Sequence, residues 1–116
     1  MSSRQVKLRL RIMVDEAIAV GPGKIALLEA LAECGSITAA AKQLGMSYRR
    51  AWLLIDDLNR ALKSPAVATA AGGSGGGGSE LTDTGRELVA LYRRSEAVAL
   101  QAAQAEIKQM LKLLAA

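Results

Sequence analysis

The sequence contains no histidine and no phenylalanine, one cysteine, one tryptophan, two tyrosines and two prolines among its 116 residues. Without histidine a Cys/His zinc site is excluded, and a single thiol cannot close an intrachain disulfide. Cys34 also has no imidazole to act as its base, and no carboxylate pair stands in a glycine-rich setting, so the sequence does not read as an enzyme. Placed at the end of a helical pattern before Gly35, Cys34 reads as a small buried residue rather than a redox sensor. With so few aromatics the core must be Leu, Ile, Val and Ala, which favours closely packed helices. The N-terminus lacks an apolar signal-peptide core, and no stretch is long and apolar enough to span a bilayer. These absences lead us to expect a cytoplasmic protein with no membrane contact, no cofactor and no metal.

What is present is a modest excess of cations, a net charge of +4. That is compatible with a polyanionic partner without establishing one. A chain of this length suits one domain and should bury roughly 65% of its unfolded surface.

The stretch that organises the chain is Ser36 to Asn59, SITAAAKQLGMSYRRAWLLIDDLN. Ser36 can cap a first helix, since its hydroxyl can accept from an orphan backbone N–H, and the alanines that follow propagate it. Gly45 tolerates the left-handed conformation of a helix end, and Ser47 can cap a second helix two residues later. Along that second helix Ala51, Leu54, Ile55, Leu58 and Leu62 form an inner stripe, which leaves Tyr48, Arg49, Trp52 and Leu53 facing outward. An ordinary helical hairpin would also account for the corner. Ala39, Ala40 and Ala41, the hydroxyls of Ser36 and Thr38 at one helix start, and Tyr48, Arg49 and Arg50 at the other favour a helix-turn-helix, whose second helix enters the major groove.

GSITAAAKQLGMSYRRAW resembles the helix-turn-helix of LysR-type regulators. It resembles more closely that of the molybdate-responsive ModE regulators, in which a Ser-Tyr-basic segment followed by Ala-Trp opens the recognition helix. The glycine run from Gly72 to Gly78 and the Leu81-Thr82 helix start also match the ModE pattern. The resemblance implies a role in molybdenum-linked gene control, without the family's effector-binding half, since the sequence ends at Ala116.

Elsewhere, apolar Val6, Leu8, Leu10, Ile12 and Val14 alternate with Lys7, Arg9 and Arg11, a period of two that predicts a half-buried strand over 6–14 with a solvated basic face. A turn at Asp15 and Glu16 leads to a short return strand over 17–20. Pro22 suits the first position of a helix carrying Ile25, Leu28, Leu31 and Ala32 on one stripe and stopped by Gly35. After the recognition helix, Pro65 ends the helical pattern, and strands over 66–70 and 79–81 would flank the glycine run as a wing. No Lys-Ser/Thr pair follows the glycines, as a Walker-type loop requires, but a flexible linker shares their composition. Related wings carry a basic residue, whereas Ala70, Ala71 and Ser74 are neutral.

Thr82 or Thr84 caps the last helix, with Thr84 and Glu87 spaced as a capping box. No breaker follows, so one helix of about 45 Å is expected at 1.5 Å per residue. Its apolar positions continue past the domain, which suggests a homodimer joined through Leu88, Leu91, Tyr92, Val98, Ala102, Ile107, Met110 and Leu114.

The reading is a mainly α protein with a small β component: a winged helix-turn-helix over 1–82, wing about 66–81, and a C-terminal dimerisation helix over 83–116. It would bind double-stranded DNA at a palindromic operator. Arg49 would read a base edge, because a guanidinium can bond two acceptors of guanine at once. Tyr48, Trp52 and Leu53 would contact bases beside it, Ser36, Thr38, Ser47 and Arg50 would hold phosphates, and Gly73, Ser74 and Gly75 would bring the wing to the backbone. No small-molecule effector is expected, because the one donor-rich stretch, the glycine run, would lose about 1 kcal/mol per residue of conformational entropy on ordering around an oxyanion. The alternative is a protein-interaction module that uses the long helix, with the helix-turn-helix as scaffold.

Overall fold

In a computed structural model, described over residues 3–69 and 78–115, nine elements follow in order. They are β1 Ile12–Val14, β2 Ala17–Val20, α1 Pro22–Cys34, α2 Ile37–Leu44, α3 Tyr48–Ala61, β3 Val67–Thr69, β4 Ser79–Leu81, α4 Asp83–Ala102 and α5 Gln104–Leu113. Three of the boundaries follow from local chemistry. Pro22 occupies the first turn of α1, and Gly35 and Gly45 end α1 and α2 in the left-handed region at φ 76° and 70°, where a Cβ would be strained. Ser36 Oγ accepts from the Ala39 N–H and Ser47 Oγ from the Arg50 N–H, each at 3.1 Å, so α2 and α3 start where expected.

The core is the aliphatic one that the composition requires. Ile25, Leu27, Leu28 and Leu31 of α1 are fully buried against Ala40 and Ala41 of α2 and Ala51, Ile55 and Leu58 of α3, closed by Val67, Leu81 and Tyr92. Helix α1 is central and buries more than one stripe. Ala32 is exposed, contrary to the stripe read from spacing, whereas Leu27 and Ala30 are buried. Cys34 is also exposed, its thiol 2.9 Å from Gln43 Oε1 rather than in the core.

The N-terminal strand is shorter than its alternation suggested. Only residues 12–14 pair, antiparallel to β2 (Ile12 with Val20, Met13 with Ile18, Val14 with Ala17), around a turn where Asp15 takes φ 54°. A strand extends only as far as a partner does, and β2 has four residues. The preceding segment runs beside α4 and α5 instead. Tyr92 Oη donates to the Leu10 carbonyl at 2.8 Å, and Arg4 reaches the Ala115 carbonyl at 3.4 Å. Lys24, buried in the first turn of α1, ties down β2 by donating to the Ile18 and Ala19 carbonyls at 2.6 and 3.3 Å.

β3 and β4 form the antiparallel base of the wing, Val67 opposite Leu81 and Thr69 opposite Ser79. Asn59, on the last turns of α3, fixes the entry: its Oδ1 accepts from the Ala66 and Val67 N–H groups and its Nδ2 donates to the Val67 carbonyl. Ser79 N–H donates to the Gly35 carbonyl at 3.1 Å and pins the exit to the α1–α2 corner.

Thr82, not Thr84, caps α4. Its Oγ1 accepts from Gly85 N–H and donates to the Pro65 carbonyl at 2.6 Å, so the residue three places on is glycine and the Thr84–Glu87 box does not form. Gly85 is required there, since a Cβ would lie 2.2 Å from the Ala66 oxygen. The predicted single helix is two. Ala103, at φ −95° and ψ 9°, separates α4 from α5 without glycine or proline. No described helix is long and apolar enough to cross a membrane.

Candidate nucleic-acid interface

The helix-turn-helix is built so that α3 leans its inner side on α1 and α2 and turns its first two turns outward. Ala51, Ile55 and Leu58 are buried, with Leu54 and Leu62 partly so. Tyr48, Trp52 and Leu53 remain 53%, 44% and 44% exposed and line one shallow depression with Arg49. Leaving three large apolar groups in water opposes the main driving force of folding. Their joint exposure around a cation sets this part of α3 apart from its buried side.

The electrostatics agree. Among the described residues four ion-pair contacts form, and none involves Arg49 or Arg50. Further along α3, Asp56 is held by Arg60 at 3.0 Å. The helix thus presents free cations and its positive dipole end at residues 47–50, and carboxylates only from its third turn on.

Not all the predicted contacts fall together. Arg50 lies on the flank of α3, in a separate cleft with Arg11, Gly21, Met46, Leu54 and Asp57, away from the depression around Arg49. Ser36 and Thr38 stand at the start of α2. Ser36 and Ser47 each accept one capping hydrogen bond, which leaves each hydroxyl hydrogen free to donate to an anion. Gly73, Ser74 and Gly75 lie outside the described residues. The sequence pattern did not single out Asn59; an amide directly after the inner Leu58, about one and a half turns before the Ser64-Pro65 stop, was the available signal.

The C-terminal apolar positions divide at Tyr92. Tyr92 is 4% exposed and its hydroxyl is already bonded within the protomer, and Leu88 packs on the core, so neither is free for a partner as predicted. Burial raises the phenol's pKa. Beside it Arg93 bonds Glu29 of α1 through Nε and Nη2, at 3.0 and 2.5 Å, and Glu96 through Nη1 at 2.7 Å. These bonds hold the Glu29 carboxyl below its usual range and the guanidinium above its own. Leu91, just before this clamp, and Val98, Met110 and Leu114 beyond it are more than half exposed, as is Leu113, which the periodicity did not select; Ala102 is exposed and Ile107 half-buried.

The profile of a family described as bacterial regulatory helix-turn-helix proteins, lysR family, matches residues 23–86. The chain is 42% identical over 96 residues to the molybdenum transport protein ModE of Azotobacter vinelandii, which covers 83% of this chain and 36% of that protein. It is 44% identical over 78 residues to the molybdenum-pterin-binding protein MopB of Rhodobacter capsulatus, 67% of this chain and 29% of that one. It is 38% identical over 88 residues to the DNA-binding transcriptional dual regulator ModE of Escherichia coli K12, 76% and 34% respectively. The chain thus spans about a third of the length of the curated relatives it matches.

Proposed function

Because the chain belongs to the lysR family of bacterial regulatory helix-turn-helix proteins, we propose that it is a sequence-specific DNA-binding transcriptional regulator of the ModE type, acting on genes of molybdenum metabolism. The observation that carries the reading is the outward cluster of Tyr48, Arg49, Trp52 and Leu53 on the capped first turns of α3. A guanidinium among apolar groups at a helix N-terminus suits the major groove, where bases offer paired acceptors and methyl groups inside a wall of phosphates. Arg49 reads a guanine edge, and Ser36, Thr38, Ser47 and Arg50 hold backbone phosphates.

The exposed positions of α4 and α5 join two copies, so that two recognition helices meet two half-sites of a palindrome. This rests on Leu91, Val98, Met110, Leu113 and Leu114, five large side chains that the domain's own core does not use.

Selection of duplexes from a random pool tests the first claim: an inverted repeat should be enriched, and a pool without enrichment would count against DNA recognition. Ending the chain after Glu96 tests the second. The shortened protein should sediment as a monomer and bind the repeat at least about 100-fold more weakly, since the second half-site is no longer reached within one complex. A shortened protein that still sediments as a dimer would move the interface elsewhere.

A further inference from the structure

Granting the DNA-binding reading, the composition of the α3 depression identifies the bases it takes. We propose that Trp52 and Leu53 read thymine through its 5-methyl group, beside the guanine read by Arg49. The thymine methyl is the one apolar group on the major-groove edges of the base pairs. Trp52 and Leu53 are each 44% exposed, and the α3 contribution to the core is complete without them. Positions 49, 52 and 53 stand within one turn of each other, so the three side chains share one patch of helix surface and Arg49 projects between the other two. A guanidinium seated on guanine therefore brings the neighbouring base edges against apolar side chains.

Trp52 can offer one N–H donor and Leu53 none, which rules out hydrogen-bonded readout by Leu53 and leaves methyl contact as what it can supply. The next polar group along the helix, Asp56, is already held by Arg60 at 3.0 Å, and Asp57 lines the separate cleft of Arg50 rather than this depression. An apolar protein surface would be the other occupant. It fits less well, because the patch holds the Arg49 guanidinium and lies at the positive end of a helix, a pattern complementary to phosphates.

The test uses duplexes selected by the full chain from the random pool, and the same duplexes with uracil replacing thymine at each half-site position in turn. Uracil lacks only the methyl. At one or two positions the wild-type protein should lose about fourfold in affinity, the worth of one buried methyl group. With Leu53→Ala or Trp52→Ala that loss should vanish at the position the missing side chain covered, while thymine duplexes bind more weakly. Both residues are exposed, and circular dichroism checks that the variants fold. Equal affinity of the wild type for uracil and thymine at every position would overturn the proposal and leave DNA recognition standing. So would variants that weaken both duplexes alike with the uracil penalty intact. A pool that yields no bound duplex would overturn the DNA-binding reading itself and this inference with it.

Discussion

Helices α3 and α4 both leave large apolar side chains in water, for different reasons. In α3 the exposed residues sit opposite a filled core and surround an unpaired guanidinium within two turns. In α4 the stripe begins on the core, with Gly85 and Tyr92 buried, and then outlasts it, since α5 has no buried residue at all. The first is an excess of apolar surface around a charge, which suits a polar partner with apolar spots. The second is an excess of length, which suits another surface of the same kind.

The sharpest way to break this comparison is to make one deletion on each side of it. Leu28→Ala, in the fully buried cluster of α1, should cost about 4 kcal/mol, the upper part of the range for emptying a packed aliphatic site. Leu91→Ala, 54% exposed on α4, should move monomer stability by no more than about 0.5 kcal/mol. Urea titration at low protein concentration separates the two, and sedimentation at high concentration should show Leu91→Ala weakening self-association. Equal losses in urea would mean that α4 is packed like α1.

Gly85→Ala probes the joint between the regions. A methyl there meets the Ala66 carbonyl at 2.2 Å, so the start of α4 must shift off β3, at about 3 kcal/mol, the cost of serious overpacking. The same titration measures it, and a loss below about 1 kcal/mol would show that α4 can slide.

Next comes the recognition helix. Arg49→Ala should remove about 2 kcal/mol of discrimination at one base pair per half-site, whereas Arg50→Ala, in its separate cleft, should weaken all sequences alike and lower the slope of log affinity against log salt by about one. Competition with scrambled duplexes at several salt concentrations reads both effects. If the two variants behaved identically, the division between depression and flank would fail.

The smallest effect concerns the clamp. Glu29 has its pKa lowered, first by the hydrogen bond from Arg93 and also by the arginine's charge. A depressed carboxylate pKa stabilises the fold above the unfolded-state value and ceases to do so as pH falls through the folded one. Stability should therefore drop between about pH 5 and 3 by an increment that Glu29→Gln abolishes, under about 1 kcal/mol because the pair is partly exposed. Urea midpoints of both proteins across that range test it.

The sequence by itself determined the helix-turn-helix. Ser36, Gly45 and Ser47 act on backbone groups within a few residues, and the spacing of Ala51, Ile55 and Leu58 fixes which side of α3 is buried. Such features need no knowledge of the rest of the chain. The same local rules located Pro22, Gly35 and the hairpin turn at Asp15 and Glu16, and they exposed Tyr48, Arg49, Trp52 and Leu53 as a group. They did not separate Arg50 from that group, because which flank of a helix faces a cleft depends on what packs beside it. Only the tertiary structure decided that the alternating segment from Val6 pairs no earlier than Ile12, that Thr82 rather than Thr84 caps α4, and that position 85 admits no side chain. It also took Tyr92 from the predicted interface and gave its hydroxyl to Leu10, 82 residues away in sequence. In each case a local pattern offered several equivalent solutions, and a carbonyl or a helix brought from far along the chain satisfied one of them.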